Sequence, residues 1–194
     1  PASIQEARLN RIEIDVKSTF SKKDGTIITK KRNIHHKKTI RGISFTKNDA
    51  KLTLVGVKDK PGVAASIFKP LYENSINVDM VVQNISPVGR ETDLTFTVKL
   101  EDLSKTRKLV EKNKSIKFKK LIINRNVSKV SIVGVGMITT PGVTFRMFKA
   151  LAKKKINIEV ISTSEIKISV LINKKNLKKS VEILHQEFKL NHNL

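Results

Sequence analysis

The spacing of apolar residues along this chain switches from alternation to helical periodicity and back, and it does so twice in the same order. β-branched runs at 52–57 and 130–135, each ending in Val-Gly-Val, read as strands. A Pro-Gly pair stops each run, at Pro61-Gly62 and at Pro141-Gly142. Beyond it, Val63, Ile67 and Leu71, or Val143, Met147 and Leu151, recur at helical spacing. Proline is tolerated in a first helical turn, where its missing N–H has no partner to lose, so both helices are expected to begin at the Pro-Gly pair. Strands are expected next over 77–84 and 157–163. Third strands follow over 93–99, where Leu94, Phe96 and Val98 alternate, and over 166–172. Second helices are expected over 103–113 and 177–188, the latter with Leu177, Val181, Leu184 and Phe188 as its apolar stripe.

The two halves are copies of one unit. VGVKDKPGVAASIFKPLYENSINVD at 55–79 aligns with VGVGMITTPGVTFRMFKALAKKKINIE at 133–159, apart from two extra residues before the second Pro-Gly. Phe68 matches Phe148, Leu71 matches Leu151, and Ile76-Asn77 matches Ile156-Asn157. The first copy closes with a strand over 116–123, giving a βαββαβ unit. The second copy ends in a polar tail after Phe188, one strand short. An open sheet edge is usually covered, and the β-prone segment 39–45 is the candidate to fill it, which would interlock the copies. The expected fold is α+β: two tandem ferredoxin-like βαββαβ domains side by side, over 37–125 and 126–194, preceded by a short segment over 1–36.

Composition narrows the chemistry. The 194 residues contain no cysteine, which excludes disulfides, thiolate metal sites and cysteine nucleophiles. The four histidines, His35, His36, His185 and His192, have no metal-ligand spacing with acidic neighbours, so no metal site is expected. No apolar run is long enough to span a membrane and no signal-peptide core opens the chain, so a cytoplasmic protein without membrane partners is expected. The net charge of +22 raises nucleic acid as a partner. Lysine, however, far outnumbers arginine, and the lysines are dispersed. There is no Trp and one Tyr, and of the third-strand residues only Phe96 could stack a base. The charge therefore reads as a solvated surface, and no nucleic-acid partner is expected.

The loop between first strand and first helix carries the sharpest chemical signal. In VKDKPGVAA, Gly62 permits close approach of a ligand, and the following helix offers unpaired N–H groups with a partial positive charge, which suit a carboxylate. Asp59, two residues before Pro61, could take an ammonium group. One free amino acid would satisfy both. The same residues could instead only cap the helix and turn the chain.

These motifs resemble a known family. Asp59-Lys60-Pro61-Gly62 with Ala64 and Phe68, then the run 76–84 (INVDMVVQN), is similar to the first ACT domain of aspartate kinases. Pro141-Gly142-Val143-Thr144, Asn157-Ile158 and the run 161–169 (ISTSEIKIS) resemble the paired ACT domain. The segment 1–36, with a short helix to Leu9 and strands over 12–20 and 25–28, resembles the end of the amino-acid kinase domain.

The resemblance implies feedback regulation by threonine and lysine. It assigns Asp59, Gly62, Ala64 and Gln83 of the first copy and Thr144, Asn157 and Ile158 of the second to effector binding, with Ser164 and Glu165 as a second, lysine-type site. Asp59 would take the ammonium group, and Glu165 would pair with a side-chain ammonium. The second loop has Met137-Ile138-Thr139-Thr140 in place of Asp-Lys, so the sites are expected to be unequal. The resemblance also implies ATP and magnesium for a full-length enzyme, no cofactor in this chain, no catalytic residue here, and dimerisation through the ACT domains or the kinase body. The first methionine, Met80, and a start inside a helix lead one to expect a cut or incomplete sequence. A free-standing ACT-domain sensor, or a basic RNA-binding βαββαβ protein, are the competing expectations.

Overall fold

The structure is a computed structural model, and it describes residues 2–20, 24–28, 39–85, 91–135, 137 and 140–190. His35, His36 and His192, with Ile138 and Thr139 of the second loop, lie outside the described residues. The chain forms two compact units, Pro1–Lys37 and Lys38–Leu194. The first unit contains helix α1 (Ala2–Leu9) and a two-stranded antiparallel ribbon, β1 (Ile14–Val16) with β2 (Thr26–Ile28), in which Ile14 faces Ile28.

The second unit holds β3 (Gly42–Lys58), α2 (Val63–Glu73), β4 (Val78–Ile85), β5 (Glu91–Lys99), α3 (Leu103–Lys112), β6 (Lys120–Val133), α4 (Val143–Lys153), β7 (Ile158–Ser164), β8 (Lys167–Asn173) and α5 (Leu177–Glu187). Its strands make one sheet in the order β4-β5-β3-β6-β8-β7, antiparallel throughout. Two of them are long and serve both copies. The back half of β3 pairs with the front half of β6, Leu52 against Ile123, while Gly42–Thr46 at the front of β3 lies along Lys129–Val133 at the back of β6. Each copy thus has four strands, two of its own and half of each shared one. We call them the first module (α2, α3) and the second module (α4, α5).

The separate strands expected at 39–45 and 52–57 are therefore one strand, and those at 116–123 and 130–135 are another. The polar residues between them do not break the pairing. The register slips on either side of Asp49, which is buried and accepts hydrogen bonds from the Thr46 hydroxyl and from Lys99 Nζ at 3.5 Å. A satisfied carboxylate can sit inside a strand that an unpaired one would interrupt.

Each module buries one sheet face under its helices. In the first, Leu52, Leu54, Ile67, Leu71, Phe96 and Val110 are enclosed, and Phe68 meets Phe96 edge-on with ring centroids 5.3 Å apart. In the second, Val130, Ile132, Met147, Leu151, Val170 and Leu184 do the same. Burying one such side chain fully contributes about 1.5–3 kcal/mol. Helices α2 and α4 end alike: Ser75 and Lys155 both adopt φ 57°, and the next amide returns to Leu71 O at 2.9 Å or Leu151 O at 3.1 Å.

The helix starts differ from expectation. α2 and α4 begin at Val63 and Val143, after the Pro-Gly pair, because Gly62 and Gly142 take left-handed backbone angles (φ 86° and 90°) that close a turn before the first helical residue. Ile166 also falls in the turn between β7 and β8 rather than in the strand.

Candidate functional site

The first-module loop assembles most of its expected residues at one place. Gln83 Nε2, near the end of β4, donates to Asp59 Oδ1 at 3.5 Å. Three residues after Asp59, left-handed Gly62 turns the chain into α2, whose first intrahelical bond runs from Ser66 N to Gly62 O at 3.0 Å. The Ala64 and Ala65 amides precede that bond and lie in the part of a helix that carries partial positive charge. Asp59 and Gln83 are both exposed, and no Cβ at Gly62 would meet an atom within 4 Å, so the loop is open to a ligand. A carboxylate, an amide side chain and free backbone donors are the complement of a zwitterion.

The second-module residues are not gathered in this way. Thr144 lies in the first turn of α4, while Asn157 and Ile158 follow its last turn. An eleven-residue helix separates them by about 16 Å, so within one module they cannot grip one small molecule. Ser164 ends β7 and donates from Oγ to Lys167 O at 3.3 Å, and exposed Glu165 sits in the turn that follows. That turn is joined to the start of the second loop, since Gly134 N donates to Ile166 O at 2.9 Å. Ser164 and Glu165 thus share the Thr144 end of the module, away from Asn157. Among the described residues, no group of three His, Cys, Asp or Glu is placed to hold a metal ion, and no helix is long and apolar enough to cross a membrane.

An ACT-domain family model matches residues 52–113 and 130–188. The chain is 36% identical to the regulatory subunit of aspartate kinase from Thermus thermophilus, solved in a ligand-free form, with a TM-score of 0.72 over 78% of this chain and 99% of that one. The chain belongs to the aspartate kinase family and carries its regulatory pair of ACT domains. It is 41% identical over 190 residues to an aspartate kinase of Pseudomonas fluorescens, covering 97% of this chain and 46% of that protein, so it spans about half the length of the curated relatives it matches. E. coli aspartokinase III, solved in complex with lysine and aspartate, shares the fold at 20% identity, with a TM-score of 0.74 over 97% of this chain and 41% of that one.

The ACT pair contains polar contacts that sequence reasoning missed. Glu159 of the second ACT domain, next to Ile158, accepts from Lys51 Nζ of the first at 2.5 Å and from Asn124 Nδ2 at 3.1 Å. Lys129 of the second domain bonds Asp79 of the first. The repeat alignment pairs Lys51 with Lys129 and Asp79 with Glu159, so each domain's first-strand lysine holds the other domain's second-strand acid. Recurrence of a lysine and an acid at matched positions was the available signal. Met80, Val127 and Leu171, drawn from both domains, form a small apolar cluster against which Val160 packs. Also missed was a groove of about 270 Å³ on the first domain, lined by Phe68, Tyr72, Asn77 and Val81 among others.

Proposed function

We propose that this chain is the amino-acid-sensing part of an aspartate kinase and that threonine and lysine are its effectors. The observation that carries the proposal is the approach of Asp59 to Gln83 beside the first amides of α2. Asp59 takes the effector's ammonium group, the Ala64 and Ala65 amides take its carboxylate, and Gln83 hydrogen-bonds the remaining polar atoms. Ser164 and Glu165 form a separate site for a lysine side chain.

Thr144 and Asn157 lie at opposite ends of α4, which supports a site completed by a second copy through the ACT domains. The parent enzyme transfers phosphate from ATP, with magnesium, to the carboxylate of aspartate at the head of lysine, threonine and methionine synthesis in the cytoplasm. Effector binding inhibits it through unequal affinity for two arrangements of the ACT pair, because a ligand shifts an equilibrium only by its difference in affinity for the two states. The family membership and the lysine complex of a fold relative support this reading.

Titration calorimetry of the 194-residue chain with threonine and with lysine is the test. Saturable heat with at least one of them is expected, and Asp59→Ala is expected to weaken it at least about tenfold, the scale of one lost charge-assisted bond. Absence of heat with both amino acids, alongside salt-sensitive binding of an oligonucleotide, overturns the proposal.

A further inference from the structure

Asp59 can meet Gln83 only because β3 changes phase just before the loop. Ala50, Leu52 and Leu54 point into the first core at alternate positions, but the next buried residue is Val57, three positions on. Between them Leu54 faces Leu94 and Val57 faces Thr92, so Val55 and Gly56 together stand opposite the single residue Asp93. This is a β-bulge, and one extra residue reverses which face every later side chain takes. With the bulge, Asp59 continues the phase of Val57, toward the helix side of the sheet. Val81, two residues before Gln83, lines the groove beside Phe68 and Tyr72 and so faces that same side. Without the bulge, Lys58 would face the helices, and Asp59 would turn to the opposite face from Gln83.

The bulge is gripped from both neighbouring strands. On the β6 side, Lys119 N donates to Val55 O at 2.8 Å. On the β5 side, the Gly56 amide finds a side chain in place of a backbone carbonyl, donating to Asp93 Oδ1 at 2.9 Å. Gly56 has φ 66°, and a Cβ there would come within 2.7 Å of the Lys119 stem, so glycine suits the site on both counts. In the second domain the residue matching Asp93 is Lys167, and the Gly134 amide goes to the Ile166 carbonyl instead. Only the domain with the Asp59 loop has the carboxylate brace.

We propose that Asp93 is a positioning residue for the amino-acid site, its carboxylate fixing the bulge that turns Asp59 toward Gln83. The functional half of this inference rests on the reading of Asp59 given above. The test uses the whole chain with Asp93→Ala and Asp93→Asn, the latter keeping a carbonyl acceptor. Two readouts are taken: hydrogen exchange of the Gly56 amide, and calorimetric titration with threonine and with lysine. In Asp93→Ala the Gly56 amide is expected to exchange at least about tenfold faster and affinity to fall about tenfold, while Asp93→Asn restores both to within about threefold.

A merely structural role would lower the unfolding temperature of both variants without this split between them. If Asp93→Ala does not fold, Asp93→Val, a strand former without an acceptor, replaces it. Unchanged Gly56 exchange overturns the inference, as does unchanged affinity in a chain that binds. If the unaltered chain binds neither amino acid, the functional reading fails with it, and Gly56 exchange alone decides whether Asp93 holds the bulge.

Discussion

The two ACT domains share a plan, helix ends and core positions, yet they differ in the loop before the first helix and where each meets the other. The first places a carboxylate, Asp59, and an amide, Gln83, beside the start of α2, whereas the second has no matching acid in its loop. Their reciprocal ion pairs are unequal as well. Lys51 and Glu159 are both about one-fifth exposed, and Glu159 also accepts from Asn124, while Asp79 is half exposed and bonds buried Lys129 alone among the described contacts. The repeat keeps the residues that build the sheet and varies those of the loop between first strand and first helix. A core position must satisfy the same packing in both copies, whereas an exposed loop residue such as Asp59 is under no such constraint.

The comparison can be broken first at the cores. Leu71 and Leu151 occupy matched, fully buried positions, and changing either to alanine is expected to cost about 2–5 kcal/mol. Because β3 and β6 belong to both domains, either change should lower one common transition in urea, followed by circular dichroism. Two transitions, with one left unmoved, would show the domains to be independent.

A smaller effect separates the ion pairs. Glu159→Gln is expected to destabilise by about 1–3 kcal/mol, since Lys51 is left mostly buried without its charge partner, and Asp79→Asn by at least as much, since Lys129 is buried more deeply still. A clearly smaller loss at Asp79 in the same denaturation experiment would show that the exposure of the acid, and not the burial of the lysine, sets the strength of each pair. The smallest change is at the bulge, where Gly56→Ala is expected to cost about 1 kcal/mol through its left-handed backbone angle. Thermal melts should resolve that loss, and an unshifted melt would mean that the bulge tolerates a side chain.

Much of this molecule could be read from the residues because the repeat supplied its own check. Helical spacing at Val63, Ile67 and Leu71 gained weight from Val143, Met147 and Leu151, and the Asp59 loop stood out by contrast with its copy. What escaped was continuity. Lys47-Asn48-Asp49 and Asn124-Arg125-Asn126 look like breaks, yet local bonds, such as Asn126 N to Asn124 Oδ1 at 2.9 Å, satisfy polar groups while the strands run on. The phase change at Gly56 was hidden for a related reason. A single glycine in a β-branched run gives no sign of the acid on a neighbouring strand that will hold its amide. Contacts between distant segments, such as Lys51 with Glu159, have no local signature at all.

The shared strands also set a timetable for synthesis. The front half of β3, carrying half-exposed Phe45, is made 83–91 residues before its partners at 129–133, from Thr46 with Lys129 to Gly42 with Val133. At roughly 5–20 residues per second, that edge waits about 4–18 s without its partner. For that interval the nascent chain presents a strand able to pair with another chain, so the interlock that joins the finished domains is also the point at which a ribosome-bound copy is most open to mispairing.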